Sequence, residues 1–336
     1  MLNATSTQYL DKYCSNLIAA TGISDPSKQF NIAAPIETKL REAILHSVAF
    51  LGMISVIPVD QIKGQVVDVG GGALFTGRKK GGRFVKEIGV DGNTYELTET
   101  DSCAAIPWSM LTQWANAGNA NQFMKLMNAA ITKHFGLDIL RVGFHGTSAA
   151  ETTNPTTNPN GEDVNKGWLT IAKEKAAGQV MPSAVLDPTG ATADSHKNLD
   201  ALVNDMRNSV IADEHVEDHD LVVLVGRGLV ASEQSRLMAE ANTPTEHAAA
   251  QKLAKSIGGM DAYIPPFFKS NQIWITSLSN LQVLQQKGTQ WRKARNEEDR
   301  KRFENSWLRM EGFAIGNFKK FAAVEAVTIA EPAPVA

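Results

Sequence analysis

Cysteine is nearly absent: Cys14 and Cys103 are the 2 cysteines of 336 residues, and they stand far apart. That excludes the close thiol spacing of a zinc knuckle or a redox pair, and it points to reduced thiols in a cytoplasmic product. No stretch of about eighteen consecutive apolar residues occurs, so no segment is built to cross a bilayer as a helix. The opening residues Met1 to Tyr9 lack the basic stretch and apolar run of a secretory signal. The expectation is a protein that is neither exported by a signal peptide nor associated with a membrane.

An excess of charge is missing as well. Lys and Arg number 33 against 36 Asp and Glu, a formal charge of -3, which is not the strong positive field of a dedicated nucleic-acid binder. Any contact with DNA is expected to be local. With 43% hydrophobic residues, the chain is long enough to bury a large core shared among two or three cooperating units. No internal repeat is present.

Leu10, Tyr13, Cys14, Leu17 and Ile18 fall at helical spacing, with Ser6 or Thr7 as the cap and Gly22 and Pro26 as the stop. This predicts a short amphipathic helix that looks detachable. Ser24 to Ala34 reads as irregular. A second helix is predicted from Pro35, carrying Ile36, Leu40, Ile44, Val48 and Leu51 along one side. From Val56 to Ala105 short apolar alternations are broken by glycine, at Gly70-Gly71-Gly72, Gly81-Gly82 and Gly92. This pattern predicts a long β-hairpin with little core of its own, and such a ribbon needs a partner surface because two strands alone are marginal in water.

Pro107 opens the longest helical region. Phe123, Met127, Ala130, Ile131 and His134 share a face, with a break expected near Gly136 before Leu137, Leu140 and Val142. Ala149 to Gly167 is predicted to be a loop. Leu199, Leu202, Val203, Met206 and Val210 form a helical face, and Leu221 to Val225 suits a buried strand. Ser232 and Glu233 suggest a helix start. Gln272 to Thr276 suggests a strand, and Leu281, Val283 and Leu284 a hairpin. A charged segment follows from Arg292 to Arg302, then a returning strand at Trp307, Met310, Phe313 and Ile315. The tail after Ala326 is expected to be disordered.

Several segments approach a chemical motif and fall short of it. Gly72 to Gly77 has the glycine spacing of a phosphate-binding loop, but Arg78 and Lys79 stand where Lys and then Ser or Thr are needed, so the hydroxyl ligand to magnesium is missing. A glycine-rich ribbon tip is the better reading. Its basic group, Arg78, Lys79, Lys80 and Arg83, suits phosphate, acidic residues of a neighbouring subunit, or plain solvation. His215 and His219 lie among Glu214, Glu217, Asp218 and Asp220, which is metal-like only on a helix; a polar entry loop to the Leu221 strand is favoured. His145-Gly146-Thr147-Ser148 and Val225-Gly226-Arg227-Gly228 complete neither a nucleophile turn nor a dinucleotide fingerprint. No catalytic residue, cofactor or metal site is assigned. An alternative remains, a cytoplasmic α/β enzyme or nucleotide-binding protein using the strand and turn from Leu221 to Gly226.

Gly143-Phe-His-Gly146, Ala150-Glu-Thr152, Asn154-Pro155, Asn158-Pro159 and Val164-Asn-Lys-Gly-Trp-Leu169 occur together. With Asn198 to Val203, Asp220 to Arg227, Ile57-Pro-Val59 and Lys63-Gly64, in order from about residue 20 to 320, this resembles the major capsid protein of P-two-like temperate tailed phages, the peduovirus type. The resemblance implies an α+β chain with the Hong Kong 97-type capsid fold: an N-terminal arm, an extended β-hairpin loop, a peripheral domain with a long spine helix, and an axial domain. On that plan residues 1–30 are an N-terminal segment removed on maturation, 31–55 the arm and 56–105 the extended loop. Residues 106–166 form the peripheral domain, 167–288 the axial domain, 289–325 the return, and 326–336 a disordered tail.

The resemblance further implies an icosahedral head shell of pentamers and hexamers around double-stranded DNA. A scaffolding protein guides assembly, a maturation protease cuts near Phe30 and Asn31, and a portal protein occupies one vertex. DNA is touched non-specifically, no cofactor is needed, and assembly in the host cytoplasm is non-covalent. The glycine tract and the Arg78-Lys79-Lys80 tip depart from the family pattern. The tip, Arg78, Lys79, Lys80 and Arg83, is expected to form an intersubunit contact, with DNA as the other occupant.

Overall fold

The computed structural model describes residues 2–66, 76–82, 93–116, 118–240 and 255–330. The first helix, α1 (Ala4–Thr21), is capped by the Asn3 side chain, which accepts from Ser6 N, and it stops at Gly22 in the left-handed region. Asn3 therefore takes the role expected of Ser6 or Thr7, because the helix starts earlier and Ser6 N is one of its free first-turn amides. The stretch expected to be irregular contains a strand, β1 (Phe30–Asn31). Pro35 does open α2 (Ala34–Ser47) in its first turn.

Three short strands follow, β2 (Ser55–Val59), β3 (Lys63–Gln65) and β4 (Thr94–Glu96), and then the longer β5 (Thr98–Pro107). A short helix α3 (Trp108–Asn116) leads into α4 (Ala120–His145), started by a full capping box between Asn119 and Gln122. The break expected near Gly136 is not there. Gly136 is buried in an unbroken helix, because a Cβ at this position would lie 2.9 Å from Ser47 Oγ and 3.2 Å from Ile44 O. The glycine is there to let α2 cross closely, and its cost in helix propensity is offset by that packing.

The second half contains α5 (Trp168–Lys175), β6 (Val180–Met181), β7 (Ala184–Leu186), α6 (Leu199–Ser209), β8 (Leu221–Val225) and α7 (Arg227–Glu240). After them come β9 (Ser256–Ile257), β10 (Met260–Tyr263), β11 (Ile273–Ser277), β12 (Leu281–Gln286), β13 (Trp291–Glu297) and β14 (Arg302–Ile315). The described chain closes with β15 (Phe321–Val324) and β16 (Val327–Ile329). Part of the tail expected to be disordered is thus a strand: β16 lies parallel to β7, with Val327 opposite Ala184. Residues 331–336 lie outside the described residues.

Two mixed sheets organise these elements. The first runs β1-β13-β14-β12-β2, with β5 also on β14; the second runs β6-β15-β11-β8-β10-β9. β12 pairs with β14 and β2, so Leu281 to Leu284 is a central strand of the first sheet and not a hairpin arm. The charged segment is ordered by β13 pairing antiparallel with β14. In the second sheet every residue of β8 is buried, and α6 lays Leu199, Leu202, Val203 and Met206 against it without exposure. The helix α7 begins directly after Gly226, earlier than Ser232, because its first turn packs on Ser270.

The two sheets meet at the C-terminal end of α4. Phe144 stands 5.2 Å from Trp168, 5.2 Å from Phe268 and 5.5 Å from Trp274, ring centre to ring centre. Trp168 continues to Phe313 on β14, and Trp274 continues to Phe321 on β15. These edge-on and tilted contacts are the favoured aromatic geometries, and they join both sheets and the helix into one core. Phe144→Ala is expected to cost about 3–5 kcal/mol, since the void is ringed by rigid aromatics that relax poorly. Urea unfolding followed by tryptophan fluorescence reads this directly.

Candidate functional site

The N-terminal helix is docked on the body. Tyr9 meets Phe123 on α4 at 5.7 Å, and Tyr13 meets Phe303 on β14 edge-on at 5.9 Å. The Tyr13 hydroxyl donates to Asn128 Oδ1 at 3.3 Å and accepts from Asn305 Nδ2 at 3.2 Å. Burial pushes its pKa up against the nearby Arg292 charge, so the phenol stays neutral and serves as a hydrogen-bonded anchor. Phe30 is buried and Asn31 exposed; Phe30 pairs with Arg292 and Asn31 with Trp291 across β1 and β13. The predicted cleavage residues are therefore held in a sheet edge, with Ser27, Lys28 and Gln29 exposed just before them.

The predicted ribbon is anchored at its base by β3 and β4, where Gly64 faces Tyr95. Its turn is described over 76–82, all exposed, with Lys79 bridged to Gly82. Arg78, Lys79 and Lys80 sit together there; Arg83 lies outside the described residues, as does the glycine tract Gly70 to Gly72. No helix follows Gly77 and Arg78 in the turn, so the phosphate-loop context is absent at the residues described.

β5 runs from the ribbon base into the first sheet, with Thr98 opposite Glu311 and Pro107 opposite Arg302. Its alternation is strict: Thr100 and Ile106 point into the core, whereas Glu99, Asp101, Cys103 and Ala105 are exposed. Among the described residues no strand pairs with its other edge. Burial raises the pKa of Cys103, helped by the charges of Glu304 and Asp101. Along the same face, Glu304 is bound by Arg295 and Arg302, and Glu297 is bound by Arg295.

Underneath, β14 is pinned by a buried ion pair. Arg309 Nε donates to Glu311 Oε2 at 2.7 Å and Nη2 to Oε1 at 2.8 Å. The guanidinium lies 3.9 Å from the Trp307 ring centre, its Nη1 donates to Ser102 Oγ, and Gln285 Nε2 donates to Glu311 Oε2. Both charges are thus matched in a forked geometry and tie β5, β14 and β12 together.

The other candidate residues are engaged in contacts within the fold. His215 Nδ1 lies 2.9 Å from Asp218 in a turn preceding β8, and Asp218 also takes Lys320 at 2.7 Å. Among the described residues no cluster suited to a metal ion is formed. At Gly226 a Cβ would lie 2.3 Å from Ser270 O, and Leu229 N already donates to that oxygen. Ser270 thus packs closely against the Gly226 turn that the alternative reading took as a ligand site. His145 closes α4 and lies 2.7 Å from Phe267 O; burial lowers its pKa.

Charge alone pointed to the Arg78 turn, but the acidic margin of β5 and the docking of α1 were missed. The period-two pattern from Thr98 to Ile106 was a usable signal for the first. For the second, the apolar face at Leu10, Tyr13, Cys14 and Leu17 announced that α1 packs on a surface but not which one.

The model of the family described as phage major capsid protein, P2 family, matches residues 9–327. Capsid proteins of Escherichia phage P2 are 32% identical over 289 residues, 81% of this chain and 80% of theirs. The major capsid protein of Serratia phage KSP20 is 25% identical over 97% of each chain. Among solved structures, one from the satellite phage P4 procapsid including size determination (Sid) protein superposes with a TM-score of 0.70. It is 26% identical, covering 87% of this chain and 99% of that one. A capsid chain of the empty GTA particle has the fold at TM-score 0.51 and 12% identity, over 84% of this chain and 90% of that one.

The pinning of β14 is open to measurement. Arg309→Met strands the Glu311 carboxylate in the core, and the expected loss is about 3–5 kcal/mol. Adding Glu311→Leu to that variant is expected to recover most of the loss. Denaturant midpoints of the two variants distinguish a matched ion pair from incidental contacts.

Proposed function

The chain belongs to the P2 family of phage major capsid proteins, and from that premise we propose that it builds the head shell as pentamers and hexamers around double-stranded DNA. Membership identifies a structural protein of the virion shell, with self-association as its activity. The observation that carries the finer reading is the open architecture of the first sheet, which leaves a ten-residue strand edge unpaired in the described chain. Such an edge is a hazard in a free monomer and an asset in a shell, where another copy covers it.

On this reading a scaffolding protein guides the procapsid, a portal protein takes one vertex, and packaged DNA is met by non-specific contacts. Residues 106–166 with the return 289–325 serve as the peripheral domain and 167–288 as the axial domain, with β12 of the first sheet and β15 of the second crossing that division. No catalytic group or cofactor enters.

A phage maturation protease cuts near Phe30 and Asn31 and frees α1. Support comes from the exposed approach at Ser27 to Gln29 and from the short length of β1. The scissile bond must leave its place beside Trp291 and Arg292 before a protease can bind it in extended form. Intact-mass measurement on virion subunits should give a chain starting at about Asn31; a retained Met1 refutes the cleavage.

Co-expression with the scaffold and protease of the same phage, followed by electron microscopy, tests the whole assignment. Closed shells are expected. Small soluble oligomers alone, in the presence of an active scaffold, would overturn it.

A further inference from the structure

We propose that the groove between α3 and α4 receives an amphipathic helix of another protein, one whose apolar stripe is flanked by acidic residues. The proposal rests on the reading of the chain as a shell subunit, and it assigns that helix to the scaffolding protein. The first sign is compositional. From Ser102 to Met124 the sequence holds no Asp, Glu, Lys, Arg or His, in a chain that is 21% charged. The run includes the end of β5, all of α3 and the first turn of α4. A purely solvated surface has no reason to exclude charge, whereas the centre of a protein interface is depleted in it and rich in Trp and Met.

The fold leaves apolar side chains here uncovered. Met110 on α3 and Leu126 on α4 are 43% and 42% exposed. Trp114 lines a hollow of about 350 Å³ with Gln122, Lys125 and Leu126, and also a larger one of about 610 Å³ that runs past Met110, Ala130 and His134. The two meet at Trp114 and form one groove. On α4 the lining residues Gln122, Leu126, Ala130, His134 and Asp138 recur every four positions, so they make one row along the helix. From Gln122 to Asp138 that row is about 24 Å long, the span of a helix of about four turns. The far end is already matched in charge: Asp138 and Arg141, which line it, pair at 3.4 Å, and Arg141 lies 4.3 Å from the Phe267 ring centre.

The neighbouring flank of α4 shows what this surface binds. There α1 packs on α3 and α4 as a helix, with Tyr9 against Phe123. Charge then selects the chemistry of a second helix beside it. Lys125 lines the groove, and Lys133 follows Leu126 by two helical turns on the same side. Both are exposed and make no ion pair among the described residues, so acids flanking an incoming apolar stripe meet them. A second copy of this chain is a poor occupant. Its α1, α2, α5 and α6 turn their apolar stripes into their own core, and a two-fold contact through the groove sets Lys125 and Lys133 against their own equivalents.

Photo-cross-linking reads the contact directly. The full chain is assembled with the scaffolding protein of the same phage, without protease, and carries a benzophenone amino acid in place of Met110, Leu126 or Ala130. Each is expected to capture the scaffold, at residues spaced three or four apart as on one helical face. Met110→Arg with Leu126→Arg, at two exposed positions, should leave the melting temperature unchanged and cut the scaffold retained in sedimenting shells about tenfold. Lys125→Glu with Lys133→Glu should also weaken retention, more at low salt than at high salt.

Capture of a second capsid chain in place of scaffold would make the groove a contact between copies and overturn the proposal. Normal scaffold retention in the double-arginine variant would overturn it as well. In both outcomes closed shells still form, so the capsid reading stands. If the unaltered chain and its scaffold form no shells, that reading fails, and the assignment of the groove falls with it.

Discussion

Everything in the first sheet depends on one strand being shared. β14 pairs with β13 along its first half, with β12 along its last five residues, and with β5 from Arg302 to Glu311. A strand that changes partners midway must not slide, because a slip of one residue would turn Phe303 and Trp307 outwards and Glu304 inwards. The Arg309–Glu311 pair sits where the change occurs and holds both neighbours by side-chain hydrogen bonds. Breaking it leaves a buried charge unmatched, so register here is enforced by a penalty and not only by a preference.

The same strand sets which surfaces are left for other copies. Its inner face takes α4 and, through Phe303 and Asn305, the N-terminal helix. Its outer face carries the matched pair Arg302 and Glu304 at one end and the partly buried Leu308 and Met310 further along. Open strand edges remain at the margins of the sheets, the ten-residue edge of β5 among them, and the turn of the ribbon is exposed. Interaction capacity has been pushed to the rim of a stable plate, where it does not compete with folding.

Much of this was legible because local periodicity answers to burial. Leu199, Leu202, Val203 and Met206 were one helical face, and they form one; Leu221 to Val225 read as a buried strand and is buried throughout. The expectation at Gly136 failed because the glycine serves a neighbour, α2, that lies far away in sequence. β1 and β16 were invisible for a similar reason, since two- or three-residue strands exist only by virtue of the partner they find. For the candidate site, cations at Arg78 to Lys80 stood out by composition, whereas the free margin of β5 follows only from the sheet topology.

The unbroken run of α4 has a mechanical side. At 26 residues it is a rod of about 39 Å, stiff because its ladder of hydrogen bonds is interrupted nowhere and Gly136 is braced by α2. Tilting such a rod by about 5° about one end moves the other by roughly 3 Å, which is one residue step along a strand. Copies that touch near its two ends are therefore held to the angular tolerance of a single peptide unit. A larger change of angle between neighbours has to be taken up at hinges outside the helix, in the segments that enter and leave it.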